Sequence, residues 1–158
     1  MVSLIRVDDR LVHGQITTTW VPYLKADTIL VASDEVASDR MRTEAIGCCA
    51  YKGLTIAVKN IAESIEAAAS EKLASSAVII LVAGLEDAMR LYEGGLKFTS
   101  LNIGNIHDDS GDCRLITPSI CIDVDDEKIL ERFEVLGVAI DLREVPTSTP
   151  GTFKLRGA

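Results

Sequence analysis

One of the two histidines in this 158-residue chain lies in a short segment crowded with charged side chains. Residues 6–15 read Arg-Val-Asp-Asp-Arg-Leu-Val-His-Gly-Gln, so His13 follows two carboxylates and two guanidiniums and precedes a glycine. A neutral imidazole can act as a nucleophile near physiological pH, and a neighbouring carboxylate can orient it. Arginine presents a planar fork of donors that matches a tetrahedral oxyanion. The segment therefore predicts a site that handles a phosphoryl group.

The place of this segment in the chain favours the same chemistry. It follows an apolar run at residues 2–7, and in an open parallel sheet ligands bind beyond the carboxyl ends of the strands. If a helix begins near His13, the amides of Gly14 and Gln15 point toward the imidazole, at an end carrying about half a positive charge. We therefore expect Gly14, Gln15 and Arg6 to bind phosphate, and Arg10 to stabilise the equatorial oxygens during in-line transfer.

Residues 5–16 resemble the active-site signature of the IIB subunits in the mannose/fructose/sorbose family of bacterial phosphotransferase sugar transporters. Other matching segments follow in the family's order across nearly the whole chain, at residues 34–39, 90–95, 101–105, 123–126 and 145–147. The resemblance implies that His13 is the phosphorylated residue and that Asp8 is the carboxylate that orients its imidazole.

The same resemblance implies a phosphocarrier, which is a protein-histidine phosphotransferase. It would take the phosphoryl group from a phosphohistidine on a IIA protein or domain and pass it to a sugar translocated by IIC and IID membrane subunits. No metal, nucleotide or other cofactor is expected, because phosphohistidine is already an activated donor. Residues 102–107, Asn-Ile-Gly-Asn-Ile-His, resemble the branch that handles N-acetylgalactosamine, with mannose, fructose and sorbose as the other candidate sugars.

Three further residues are candidates for supporting roles around His13. Asp9 is expected to shape the loop, and Asp34 follows the second predicted strand. His107 follows another strand end and could line the same crevice, although its neighbours Asp108 and Asp109 fit an ordinary solvated turn equally well. Two arginines, Arg40 and Arg42, are either phosphate ligands or part of a solvated helix face.

Composition excludes several classes of protein. A net charge of -8 argues against binding to nucleic acid, which requires basic patches. No apolar run approaches the ~20 residues of a membrane span, and no secretory leader is apparent, so we expect a cytoplasmic protein in peripheral association with its membrane partners. The four cysteines lack C-x-x-C spacing, and we interpret all of them as reduced thiols.

Short β-branched runs alternate with helical patterns along the chain. The predicted strands are residues 2–7, 28–32, 54–58, 77–82, 100–103, 120–124 and 138–142. Apolar strands separated by helices predict a doubly wound α/β domain, with a mostly parallel sheet of six or seven strands and helices on both faces. We place this single domain at residues 1–145 and a tail, mobile or docked as a strand, at 146–158.

Caps and stops support the predicted helices. Asp34 is expected to cap a helix that runs to residue 41, and Asn60 a helix over 61–71. The pair Gly94-Gly95 would close a helix over 85–93. Asp125 or Asp126 would begin the last helix, which would end at residue 137.

Other functions remain in competition. An aspartyl-phosphate receiver shares the fold and an acidic pair after the first strand, but it also needs an aspartate and a lysine at later strand ends, which this chain lacks. A non-catalytic regulator that binds a phosphate or sugar phosphate would use the same loop, although no glycine-rich nucleotide cradle is present. For a carrier, we expect Val12, Trp20 or Pro22 in an exposed docking face, with Trp20 more typical of a core.

Overall fold

The structure is a computed structural model that describes residues 1–70, 73, 75–107, 111–151 and 153. In chain order its strands are β1 (Val2–Asp8), β2 (Thr28–Ala32), β3 (Thr55–Lys59), β4 (Val78–Val82), β5 (Ser100–Asn105), β6 (Arg114–Thr117), β7 (Ile120–Ile122) and β8 (Ala139–Asp141). Six of them form one sheet in the order β3-β2-β4-β1-β5-β8, and every pairing in it is parallel.

The helices occupy the segments between these strands. A π-helical segment, Ile16–Trp20, runs directly into α1 (Val21–Leu24). The others are α2 (Asp34–Ser38), α3 (Arg40–Gly47), α4 (Ile61–Ala69), α5 (Leu85–Glu93) and α6 (Val124–Val135). Right-handed crossovers through helices are the usual way to join parallel strands.

Two apolar clusters cover the two faces of the sheet, because successive side chains of a strand point to opposite faces. In β4, Ile79 and Leu81 pack in the cluster that contains the π-helical segment, whereas Val78, Ile80 and Val82 pack in the cluster that contains α5 and α6. All five side chains are fully buried. This arrangement confirms the doubly wound α/β fold predicted from the sequence.

One predicted strand lies outside the main sheet. Residues 120–122 of the strand predicted at 120–124 form β7, which pairs antiparallel with β6 in a separate hairpin. The sheet therefore has six strands, the lower of the two numbers predicted. The turn at Pro118 and Ser119 is too short for a parallel crossover, so the two strands can pair with each other only in the antiparallel sense. The hairpin meets the sheet through an isolated bridge between Ile106 and Ile120.

Two helix starts also differ from the prediction. The hydroxyl of Ser33 accepts the amide of Val36 and caps α2, while Asp39 ends that helix and caps α3. Asp123 caps α6, so the predicted start at Asp125 or Asp126 was too late. In each case the cap is the last residue with extended backbone, whose side chain can reach the amides that follow.

The remaining caps agree with the prediction. The side chain of Asn60 accepts the amide of Glu63 at 2.8 Å and begins α4. Gly94 follows α5, and Gly95 adopts a φ of 111° that favours glycine. Gly137, with a φ of 77°, follows the last helix.

The interpretation of all four cysteines as reduced thiols was wrong for two of them. Cys113 and Cys121 form a disulfide across the β6–β7 hairpin, with their Cα atoms 5.5 Å apart, because antiparallel pairing brings their backbones within bridging distance. Cys48 and Cys49 are free and exposed.

Part of the predicted tail packs on the domain. The side chain of Phe153 is buried in the same cluster as Leu142. Residues 152 and 154–158, which belong to that predicted tail, lie outside the described residues. No helix in the described part of the chain is long and apolar enough to cross a membrane.

Candidate functional site

The carboxylate of Asp8 is the centre of the site. Asp8 ends β1 beside Asn105 of β5, where the parallel register shifts after Val7. Its Oδ2 lies 3.0 Å from His13 Nε2 and accepts the side-chain amide of Asn105 at 2.9 Å. Since the Asp8 side chain is fully buried, this contact fixes Nε2 of the imidazole as the protonated nitrogen.

Arg6 lies beneath the site and has no exposed surface. Its Nε and Nη2 donate to Asp8 Oδ2 at 3.1 and 3.0 Å, and Nη1 donates to Asn102 Oδ1 at 2.6 Å. Further donations reach the carbonyl of Arg143 and the side chain of Gln15. Burial lowers the pKa of Arg6, and the charge of Asp8 opposes that shift. The structure thus places Arg6 as the buried partner of Asp8 and away from the surface where a phosphate ligand was expected.

A tight turn carries Arg10 past the end of β1. The amide of Leu11 donates to the Asp8 carbonyl at 2.9 Å, and the amide of Arg10 donates to Asp8 Oδ1 at 3.2 Å. Leu11 has a φ of 56°, a left-handed conformation, and its buried side chain anchors the turn in the core. The Arg10 side chain is 51% exposed, and its Nε lies 3.9 Å from Asp8 Oδ1. Arg10 therefore has a guanidinium available to an incoming anion.

His13 sits at the start of the helical segment. Its carbonyl accepts the amides of Ile16 and Thr17, so the amides of Gly14 and Gln15 precede the first intrahelical bond. Gly14 is exposed, and a Cβ there would meet nothing within 4 Å. The His13 side chain is 17% exposed, and among the described residues no hydrogen bond engages its Nδ1. Within the described residues, the imidazole thus keeps one nitrogen free of hydrogen bonds, and the two amides that follow it in the chain make no intrahelical bond.

The other acidic residue of the loop, Asp9, contacts His107, and within the described residues it shares no hydrogen bond or ion pair with His13. Asp9 Oδ2 accepts the backbone amide of His107 at 2.7 Å and lies 2.8 Å from His107 Nδ1. The amide of Asp9 donates to the Asn105 carbonyl at 3.2 Å. Two candidates for supporting roles are therefore brought together beside the site.

Three other candidates make their contacts elsewhere. Asp34 accepts the Ile61 amide at 2.9 Å and pairs with Arg90 at 2.6 Å, and these two donors lower its pKa, with the backbone bond as the larger cause. Arg40 pairs with Glu44 on the surface of α3, and Arg42 pairs with Glu35. In the described residues these side chains share no hydrogen bond or ion pair with the His13 loop.

Sequence reasoning missed the residues of β5 that support Asp8. Asn102 and Asn105 occur in a segment that was recognised only as a family match, yet their amides connect Arg6 and Asp8 to the rest of the sheet. The available signal was the presence of two asparagines in a segment predicted as a buried strand. Buried polar side chains normally have hydrogen-bond partners, so asparagines there indicate a polar network.

The helical segments that follow His13 in the chain contain Trp20 and Pro22, two of the three apolar residues expected in a docking face. Trp20 is only 1% exposed, and its Nε1 donates to the Glu144 carbonyl at 2.9 Å, so it belongs to the core and not to a docking face. Val12 is half-buried, while Pro22 and Tyr23 are exposed. Of the three apolar residues expected in a docking face, Val12 and Pro22 therefore keep exposed surface and Trp20 does not.

Known proteins are similar to this chain in sequence. A family model described as the sorbose-subfamily IIB component of the phosphotransferase system matches residues 2–155. The chain is 33% identical over 147 residues to the mannose-specific EIIAB component of Escherichia coli K12, covering 93% of this chain and 45% of that protein. It is 32% identical to the sorbose-specific EIIB component of Lacticaseibacillus casei, covering 93% of this chain and 89% of that protein.

Solved structures of similar fold agree. The IIB domain of the sorbose permease from Klebsiella pneumoniae superposes with a TM-score of 0.88 at 26% identity, over 96% of this chain and 92% of that one. An N-acetylgalactosamine IIB component from Streptococcus pyogenes superposes with a TM-score of 0.83 at 30% identity, over 94% and 90% of the two chains. The chain spans less than half the length of the E. coli mannose-specific relative but nearly all of these single-component relatives.

Proposed function

Since the chain belongs to the sorbose-subfamily IIB components of the phosphotransferase system, we propose that it is the phosphocarrier of a sugar transporter and that His13 is its phosphoryl acceptor. The observation that carries this proposal is the 3.0 Å contact between Asp8 Oδ2 and His13 Nε2. The contact holds the proton on Nε2 and leaves the lone pair on Nδ1. Nδ1 is therefore the proposed nucleophile.

The transfer step can be written on these atoms. The Nδ1 lone pair of His13 attacks the phosphorus of a phosphohistidine on IIA, and the new N–P bond forms as the donor's N–P bond breaks. The donor nitrogen keeps the bonding electron pair. The His13 ring gains positive charge while its proton stays on Nε2, and the buried Asp8 carboxylate stabilises that charge. Asp8 thus orients the ring before transfer and stabilises it afterwards.

Positive groups around Nδ1 would stabilise the transferring phosphoryl group. Arg10 is the exposed guanidinium of the loop, and the amides of Gly14 and Gln15 are free of intrahelical bonds. Phosphoryl transfer depends mainly on positioning and on neutralising the three equatorial oxygens. We assign the oxygens to Arg10 and these amides, and we assign Arg6 to holding Asp8.

The proposed partners are a IIA protein or domain as donor and IIC and IID membrane subunits at the cytoplasmic face as the site of sugar delivery. The docking face that we propose consists of Val12, Pro22 and Tyr23 beside Arg10. It is small and contains a charge, so binding should be weak and sensitive to salt. Both partners must reach His13 and should therefore compete for this face.

For the sugar we propose a hexose or amino sugar, beginning with N-acetylgalactosamine. The support is the Asn-Ile-Gly-Asn-Ile-His segment at residues 102–107, whose asparagines support the site, together with relatives named for N-acetylgalactosamine, mannose, sorbose and fructose. Sugar-dependent loss of the phosphoryl group in membranes that contain the cognate subunits would identify the substrate.

The acceptor is tested by incubating the chain with IIA that carries a radioactive phosphoryl group. Wild type should take up label that is acid-labile and alkali-stable, as expected for a phosphohistidine. The His13→Asn variant should take up none, and the His107→Asn variant, which retains His13 as its sole histidine, should still be labelled. Label on His13→Asn, or label that behaves as an acyl phosphate, would overturn the assignment.

A further inference from the structure

The loop that carries Arg10 is attached to β5 through two consecutive aspartates. In the interior, Asp8 Oδ2 accepts the side-chain amide of Asn105. At the surface, Asp9 Oδ2 accepts the backbone amide and Nδ1 of His107, which lies two residues after Asn105. The backbone bond from the Asp9 amide to the Asn105 carbonyl joins the same two segments. The start of the active-site turn is thus fixed at two consecutive residues to the end of β5 and the residue that follows it by two.

The carboxylate of Asp9 depends on His107 for its side-chain bonds. Its Oδ1 is buried and has no hydrogen-bond partner among the described residues, whereas its Oδ2 accepts both the amide and Nδ1 of His107. A buried carboxylate oxygen without a donor is costly, so the bonds at the other oxygen matter more. Removal of the imidazole donor would leave Asp9 with one side-chain bond and free the turn to move.

Movement of this turn would displace Arg10 before it displaced His13. Arg10 is the residue next to Asp9, and among the described residues its side chain is held near the site by one ion pair, a contact of 3.9 Å to Asp8. His13 is held independently, through its own bond to the buried Asp8. The consequence of losing the His107 donor therefore falls on the guanidinium and spares the orientation of the nucleophile.

We propose that His107 is a positioning residue, which acts through Asp9 to hold Arg10 over the phosphoryl group. Its Nδ1 hydrogen donates to Asp9 Oδ2, and the turn from Asp9 to Leu11 presents Arg10 toward His13 Nδ1. This inference rests on the proposed phosphocarrier function. His107 makes no contact with the reacting atoms and takes no proton from them.

Two substitutions at position 107 separate the donor from the rest of the side chain. The amide of His107→Asn occupies nearly the place of Nδ1 and can donate to Asp9, whereas the amide of His107→Gln extends to the place of Nε2. In single-turnover transfer from phosphorylated IIA, His107→Gln should be slowed roughly tenfold, because small displacements of a stabilising group cost rate steeply. His107→Asn should recover most of the wild-type rate.

A double-mutant cycle tests the route through Arg10. In an Arg10→Lys background, His107→Gln should slow transfer less than twofold, because the group that His107 positions has already been replaced. The concentration of IIA at half-maximal rate should change little, so the loss appears in the maximal rate. Urea unfolding of each variant establishes that the folded protein is compared.

The outcomes are distinct. Equal rates for wild type and His107→Gln, an equal loss in His107→Asn and His107→Gln, or additive losses with Arg10→Lys would each overturn the proposal for His107. Failure of wild type to take label on His13 would instead overturn the proposed phosphocarrier function. Recovery by asparagine together with non-additivity would establish the positioning role.

Discussion

Gly104 packs directly against the guanidinium of Arg6, so that a Cβ at position 104 would overlap Nη2 and Cζ of the arginine. Arg6 is fully buried and cannot move aside toward solvent. Glycine at this point in β5 is therefore the condition for a buried arginine under Asp8. The site is built from the sheet outward, with the glycine, the arginine, the aspartate and the histidine stacked in that order.

Replacement of Gly104 by alanine should disturb the site through this stack. Gly104→Ala forces Arg6 to shift against Asp8 and should lower the free energy of unfolding by about 1 to 3 kcal/mol, as overpacking generally does. Gly47→Ala is the matched control, because Gly47 ends α3 in open space. Urea unfolding of both variants measures the difference, and equal stability would contradict the tight packing of Gly104 on Arg6.

The negative charge of Asp8 should contribute to the stability of the fold and to the labelling of His13. In Asp8→Asn the buried Arg6 loses its counter-charge, and either orientation of the new amide directs an NH2 group at donors on Arg6 or Arg10. Removal of one partner of a buried pair costs about 3 to 5 kcal/mol. We expect a loss of this size in urea unfolding together with slow labelling of His13. Wild-type stability would show that the pair of Arg6 and Asp8 contributes little.

The sequence predicted the parts of this site whose signals are local. Strand β1, the carboxylate at its end and the histidine that follows lie within a dozen residues, and their residue types together with the family resemblance indicated phosphoryl transfer. The role of Arg6 could not be read in this way, because its partners Asn102 and the Arg143 carbonyl lie 96 and 137 residues away. The sheet order, with β5 next to β1, is what places Arg6 in a buried position between Asn102 and Asp8.

The same limit explains why one predicted strand lies outside the main sheet. Residues 120–124 carry the apolar pattern of a sheet strand, and nothing local distinguishes a hairpin strand from a sheet strand. The hairpin also explains the disulfide, since Cys113 and Cys121 come within bonding distance when β6 and β7 pair. Spacing in the sequence did not reveal that pairing.

The Cys113–Cys121 disulfide should stabilise the folded chain under oxidising conditions. It closes a loop with a sequence separation of 8, for which the chain-entropy estimate is about 2 to 3 kcal/mol. Replacement of both cysteines by serine should lower the free energy of unfolding by that amount in oxidised protein. With an excess of dithiol reductant, wild type and variant should differ much less. An equal difference in both conditions would mean that the effect is not due to the disulfide.

Asp34 should make stability depend on pH in the acidic range. The Ile61 amide and Arg90 hold the pKa of Asp34 below its ordinary value. A carboxyl with a depressed folded pKa contributes stability above its unfolded pKa, and this contribution is lost as pH falls through the folded pKa. The stability difference between wild type and Asp34→Asn should therefore be constant above about pH 5 and shrink below about pH 4. A difference that does not change with pH would contradict this linkage.

Arg10 should contribute to transfer far more than to folding, because its side chain is half exposed and, in the part of the chain that the structure describes, forms one long ion pair, with Asp8. Arg10→Lys keeps the charge but replaces the planar fork with a single ammonium, which cannot donate to two oxygens in the same geometry. Loss of one donor that stabilises a transition state costs about 2 to 4 kcal/mol, or a factor of about 10² to 10³ in rate. Single-turnover transfer from phosphorylated IIA measures this factor, while urea unfolding should show almost no change.

Arg40→Lys is the control, because Arg40 pairs with Glu44 on the exposed side of α3. Transfer at the wild-type rate in folded Arg10→Lys would show that Arg10 does not hold the phosphoryl oxygens, and the amides of Gly14 and Gln15 would then be left as the groups that do.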